Sequence, residues 1–159
     1  MDIWEANSIS TALTPHVCNK IGQYMCTSNA ECGAGDARYS SVCDKDGCDF
    51  NAFRQGNTSF YGPNKIVNTN AKMTVVTKFI TADGTDTGRL SQIQRLYVQN
   101  GKVIQQSQSN IAGITKTNAI SDNFCTQQKS VFGDTNSFAA RGGMTAMGNS
   151  FDRGMVLVM

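Results

Sequence analysis

Six cysteines constrain this chain more than any other feature. All lie between Cys18 and Cys125, and five of them fall within Cys18 to Cys48. Residues 17–64 around them are rich in Cys, Gly, Asn and Asp, and read as loops pinned by disulfides. An even cysteine count in such surroundings implies an oxidising, extracellular setting. The competing reading is a metal site. No Cys-x-x-Cys pair occurs, and the only histidine, His16, stands beside Cys18 at a spacing unsuited to a shared metal. No metal or other cofactor is expected. Asn57-Thr58-Ser59 is an N-glycosylation acceptor, which fits a secreted glycoprotein. Yet Met1-Asp2-Ile3-Trp4-Glu5 shows no basic or apolar leader segment, so the chain is expected to be a mature product or a piece of something longer.

With 159 residues the chain is long enough to bury a core. Only 16% of residues are charged and the net charge is +2, which argues against a nucleic-acid partner because the basic stripe such binding needs is missing. A hydrophobic content of 40% argues against disorder. The longest apolar run, Met155 to Met159, is far short of the roughly 20 residues of a membrane span.

Strand signals dominate. Residues 1–16 begin with a strand-like stretch, and Met73 to Ile80 alternate as a strand should. A turn-rich insert, Thr81 to Gly88, follows. Gln94–Gln99 and Lys102–Gln106 flank Asn100-Gly101, a hairpin signal because both turn residues tolerate positive φ. Ser121 to Phe132 predicts a helix, capped by Ser121 or Asp122 and ended by Gly133, with Phe124, Gln128 and Val131 on one side. A shorter helix is predicted from Ser137 to Arg141. Met155 to Met159 reads as a buried strand that stops without a turn, as if cut. Met73, Met144, Met147, Met155 and Met159 are expected in or near the core. These elements predict an antiparallel β-sandwich with few, brief helices.

Asp2 and Glu5 flank Trp4. In a regular strand, side chains three apart point to opposite faces. A β-bulge between them would restore one face, and bulges concentrate near active sites. Two carboxylates and an aromatic on one concave face suit glycoside hydrolysis, where one carboxyl must stay protonated to donate to the leaving oxygen. The competing reading is an edge strand with two solvated acids. His16 is either a structural hydrogen-bonding residue or part of a site. Arg38, Tyr39, Asp46, Asp49 and Arg54 lie in the cysteine-rich loops, where Arg and carboxylates can bind sugar hydroxyls or merely pair on the surface.

Longer blocks give a resemblance. Met-Asp-Ile-Trp-Glu-Ala-Asn-Ser at positions 1–8 and Ala12-Leu13-Thr14-Pro15-His16 resemble glycoside hydrolase family 7, the fungal cellobiohydrolases and endoglucanases. Cys43-Asp44-Lys45-Asp46-Gly47-Cys48-Asp49-Phe50-Asn51 and Gly56-Asn57-Thr58-Ser59-Phe60-Tyr61-Gly62-Pro63 follow in order. So do Thr74–Thr77, Tyr97–Gly101, Asp122–Cys125 and Gly154–Leu157. The resemblance implies a concanavalin-like β-jelly-roll sandwich with long disulfide-pinned loops. It implies that residues 1–159 are a partial catalytic domain, with N- and C-terminal parts missing. It also implies pairing of Cys18 with Cys43, Cys26 with Cys32 and Cys48 with Cys125.

The family signature is Glu-x-Asp-x-x-Glu, whose members are nucleophile, electrostatic partner and acid/base. Asp2 and Glu5 match the second and third, and the first would lie immediately before Met1. The resemblance thus implies a retaining mechanism with no metal. Glu5 acts as acid/base, Asp2 orients the nucleophile, and the two reacting carboxyls lie about 5–5.5 Å apart. Thr14 and His16 would line the leaving-group side, and Arg38, Asp46 and Asp49 would bind the released cellobiose unit. Residues 23–40 resemble the loop that roofs the product end of a cellobiohydrolase tunnel, although the tip, 29–36, differs in length and lacks an aromatic residue. The Thr81 to Ser91 insert could help enclose the cleft. The reading is a secreted, monomeric cellulase acting on cellulose chains, preferably a cellobiohydrolase, with an endoglucanase as the alternative. The 159-residue chain alone is expected to be inactive. A non-catalytic sugar-binding jelly roll and a structural disulfide protein are the rivals. The latter predicts that Thr14, His16, Arg38, Asp46 and Asp49 do not cluster near Glu5.

Overall fold

A computed structural model describes residues 1–156. Strands β1 (Asp2–Ala6), β2 (Thr11–Thr14) and β3 (Phe50–Asn51) form one antiparallel sheet in that order. Asn7 closes the β1–β2 hairpin, because its Oδ1 accepts from the backbone N–H groups of Ile9 and Ser10 at 2.9 Å each. β4 (Tyr61–Gly62) and β5 (Val67–Asn68) make a small parallel pair. The second large sheet is β6 (Thr74–Thr81), β7 (Leu90–Gln99) and β8 (Lys102–Gln105), with β9 (Ala119–Ile120) also paired to β7. Asn100 and Gly101 turn β7 into β8 with φ of 52° and 72°, the positive values a type I′ turn requires.

The two large sheets face each other as sandwich layers. Leu13 and Phe50 from the first meet Ile93 and Ile120 from the second in one core, together with Phe124, Phe138, Met144 and Met147. A smaller cluster gathers Phe60, Tyr61, Val67 and Tyr97. Among the described residues no helix is long and apolar enough to cross a membrane.

The disulfides join Cys18 to Cys43, Cys26 to Cys32 and Cys48 to Cys125, the pairs the resemblance implies. The loops they pin hold more structure than their composition predicts. A short helix α1 (Asn29–Cys32) is capped by Ser28, and a 3-10 turn covers Gly35–Tyr39. Helix α2 (Asp122–Phe132) starts on Ser121, whose side chain accepts from the N–H of Phe124 at 3.2 Å, and ends on left-handed Gly133. Buried Cys125 fastens it beneath the cleft-side loop at Cys48, where Phe124 stacks on Phe50 with ring centroids 5.1 Å apart. Helix α3 (Ser137–Ala140) follows.

Several expectations need correction. A ten-residue helix α4 (Gly143–Asp152) occupies a stretch with no predicted element. Its start is fixed by a tertiary contact, the Asp122 Oδ1 accepting the N–H of Met144 at 2.8 Å. Val131 is exposed, so the buried side of α2 is Phe124, Cys125, Gln128 and Lys129. Met144 and Met147 are buried and Met73 packs against the smaller cluster, but Met155 is exposed. Met155 and Val156 form no strand, since among the described residues nothing pairs with them beyond left-handed Gly154. The rest of that predicted strand, 157–159, and Met159 as a core residue lie outside the described residues.

Candidate active site

The site begins with an irregularity in β1. Asp2 pairs with Thr14, but Glu5 pairs with Ala12, so β1 carries one residue more than β2 between these pairs. That extra residue is a bulge. It cancels the alternation that would send Asp2 and Glu5 to opposite faces, and both line the same cleft of about 590 Å³. Thr14 lies on that face too. Its hydroxyl donates to Glu5 Oε2 at 3.3 Å. Trp4, expected beside the acids, turns the other way. Its ring sits edge-on to Tyr61 and Tyr97, at 6.2 and 6.3 Å between centroids.

His16 is held from both sides. Nδ1 lies 3.0 Å from the backbone oxygen of Asp44, and Nε2 lies 2.8 Å from Asp2 Oδ2. A carbonyl can only accept, so Nδ1 carries a hydrogen. Asp2 is thereby fixed in orientation by an imidazole that is itself anchored to the chain.

The far wall comes from the disulfide-pinned loops. Arg38 donates to Asp46 Oδ1. This bond is what raises the Arg38 guanidinium above its ordinary value. Asp49 Oδ1 accepts from Arg54 Nη1 at 2.7 Å and from Gln128 Nε2 at 3.1 Å. Arg54 also donates to Asp134 Oδ2 at 2.7 Å and stacks over Phe132, 4.3 Å from the ring centroid. Paired cations and carboxylates fixed in this way offer donors and acceptors to vicinal hydroxyls.

Asp2, Glu5, Thr14, His16, Arg38, Asp46 and Asp49 all line this one cleft, as do Tyr39 and Arg54, both noted in the sequence without an assigned role. Lys45, Lys129 and Asp134 also line it and were not picked out. Lys129 and Asp134 sit at the end of α2, which the Cys48–Cys125 bridge, the Gln128–Asp49 bonds and the Arg54–Asp134 bond bring to the loops. The clustering removes the main support for a purely structural disulfide protein. The insert between β6 and β7 does not line this cleft. It borders a second concavity of about 680 Å³ against α4, which holds none of the predicted site residues. Asn57 lies elsewhere, its side-chain amide donating to the backbone oxygens of Gln108 at 2.6 Å and Gln55 at 3.2 Å.

Comparison with known proteins bears on the family and the fold. The family model described as glycosyl hydrolase family 7 matches residues 1–159. The chain is similar to the GH7 family cellobiohydrolase from Daphnia pulex, with 43% identity and a TM-score of 0.92 over 96% of this chain and 35% of that one. It is similar to the Humicola insolens endocellulase EGI, with 39% identity and a TM-score of 0.83 over 98% of this chain and 36% of that one. The cellobiohydrolase from Melanocarpus albomyces complexed with cellotetraose matches at 29% identity and a TM-score of 0.83, over 96% of this chain and 34% of that one. The chain therefore spans about a third of the length of these structures, and its sandwich is part of their jelly roll. The Daphnia relative means that the likeness assigns no fungal source. Fold, disulfides and family model agree, and the chain belongs to glycosyl hydrolase family 7, a family of cellulases.

Proposed function

We propose that residues 1–159 supply the acid/base side of a retaining cellulase active site, within the catalytic domain of a longer protein. The observation that carries this reading is the β1 bulge, which turns Asp2 and Glu5 into one cleft with the Arg38–Asp46 and Arg54–Asp49 pairs. Glu5 protonates the glycosidic oxygen as the bond to the anomeric carbon breaks, and later takes a proton from the water that hydrolyses the glycosyl-enzyme. The nucleophile is the glutamate that the resemblance places immediately before Met1. Asp2, held by His16, hydrogen-bonds and orients it. Thr14 steadies the Glu5 carboxyl, and Arg38, Asp46 and Asp49 hold the leaving cellobiosyl unit.

The finer activity we propose is that of a cellobiohydrolase. The loop spanning 23–40 carries its own Cys26–Cys32 bridge and brings Arg38 and Tyr39 to the wall of the cleft, which suits retention of a released disaccharide. The protein is further proposed to be secreted and monomeric, with a glycan on Asn57. A glycosylated amide keeps one N–H, enough for one of the two carbonyl bonds seen there.

The test uses the full-length protein on soluble substituted cellulose and on cello-oligosaccharides. Cellobiose as the main product with slow viscosity loss supports the cellobiohydrolase. Rapid viscosity loss makes it an endoglucanase. A β-configured first product, read by proton NMR before mutarotation, supports retention, and an α-configured one contradicts it.

A further inference from the structure

Directly beneath the bulge lies a buried cation. Arg95 stands on β7, on the core-facing side between Ile93 and Tyr97, and is 2% exposed. Its guanidinium crosses the sandwich to the other sheet. Nη2 donates to the backbone oxygen of Ile3, and Nη1 approaches that of Ala12 at 3.5 Å. Ile3 lies inside the bulge, where ladder pairing between β1 and β2 is interrupted, and Ala12 is the residue opposite Glu5. One planar fork thus spans both strands at the site where their register slips. Nη2 also reaches Thr77 Oγ1 at 3.4 Å, and the guanidinium carbon lies 5.1 Å from the Trp4 ring centroid, so the fork is braced from β6 and from β1 as well. Burial lowers the Arg95 guanidinium from its ordinary value, yet arginine stays charged in proteins.

A buried charge with this set of partners is expensive to keep for packing alone. A bulge also needs something to satisfy the backbone it unpairs. We propose that Arg95 is a positioning residue for the reaction: by gripping the Ile3 and Ala12 carbonyls from the core side, it fixes the β1 bulge and so keeps Asp2 and Glu5 on the cleft face. It touches no substrate. The proposal rests on the assignment of Glu5 as acid/base.

The experiment places Arg95→Met and Arg95→Lys in the full-length protein. Methionine fills the space without donors, and lysine keeps the charge but loses the planar fork. For Arg95→Met, kcat per folded molecule should fall about 100-fold, the penalty for a misplacement of about 1 Å, with KM within about threefold. Arg95→Lys should recover part of that loss. A folded Arg95→Met enzyme with parental kcat overturns the proposal. So does a change carried wholly by KM, or failure of both variants to fold, which makes Arg95 structural only. If the unsubstituted protein does not cleave β-1,4-glucans, the proposed function fails instead. Whether Arg95 fixes the bulge is decided independently by a structure of Arg95→Met. A lost Asp2–Thr14 or Glu5–Ala12 register supports it, and an unchanged register overturns it.

Discussion

β6 and β7 pair in step from Thr74 opposite Val98 to Ile80 opposite Gln92, slipping only at the turn end. β1 and β2 pair over a shorter length and slip in the middle, between Asp2 and Glu5. The first hairpin follows the alternation of its side chains and builds a layer of the sandwich. The second breaks its alternation and gains two carboxylates on one face. Regular pairing supplies the scaffold, whereas the site comes from one inserted residue and the contacts that hold it.

Making the second hairpin as regular as the first should have the largest effect on the site. Inserting one alanine between Leu13 and Thr14 gives β2 as many residues as β1 between these pairs and sends Asp2 and Glu5 to opposite faces. In the full-length enzyme kcat should fall about 10³-fold, within the range general acid–base catalysis supplies, while the β6–β7 sheet keeps its amide-exchange protection. Unchanged kcat would mean that the bulge does not set the site.

The next effect separates the loops from the sheets. The Cys48–Cys125 bridge closes a separation of 77 residues and ties the cleft wall to α2, whereas Cys26–Cys32 closes only 6. Replacing the first pair by alanine should cost about 4 kcal/mol in urea denaturation and the second about 2 kcal/mol, by the chain-entropy relation. Equal losses would contradict that relation here.

Burial distinguishes the core side of β7 from the exposed loops in their response to pH. Desolvation pushes the Tyr97 phenol up to about 12, against the nearby Arg95, which pulls it down. The folded state therefore holds this proton more tightly than the unfolded chain. Its contribution is full below about pH 10 and is lost as pH rises toward about 12, on the order of 2–3 kcal/mol. Tyr97→Phe should flatten that alkaline limb in thermal melts, and a limb that stays steep would assign it elsewhere. Glu31 behaves oppositely. Bonds from the Thr27 backbone N–H, the Thr27 hydroxyl and the Tyr24 hydroxyl lower its carboxyl below the usual range. Its support for α1 is present above the unfolded pKa and is lost as pH falls through the lowered value. Protection factors of the 27–32 amides, corrected for the intrinsic exchange rate at each pH, should fall slightly in acid, and less so in Glu31→Gln.

How much of this was legible depends on whether the signal is local. Helix α2 carries its own caps in Ser121 and Gly133, and the Asn100-Gly101 turn carries its own φ values, so both are readable from the chain alone. The bulge was readable only because two carboxylates three apart had to share a face. Helix α4 was not readable. Gly142 caps it with no side-chain bond, and Gly148 lies inside it, where a Cβ would come 2.8 Å from Leu90 Cβ. That glycine permits close approach to β7 but reads locally as a helix breaker. Lys129 and Asp134 were missed for a related reason. Nothing nearby in sequence marks them as cleft residues, and Arg54, 80 positions from Asp134, makes the link.

The role proposed for the bulge is to deliver Glu5 to the cleft as the acid/base. It is tested most directly by steady-state hydrolysis with Glu5→Gln in the full-length enzyme, using aryl β-cellobiosides of poor and good leaving groups. A loss of about 10³-fold or more is expected on poor leaving groups, with a far smaller loss in bond cleavage on good ones and rescue by azide. Parental rates on poor leaving groups would contradict it.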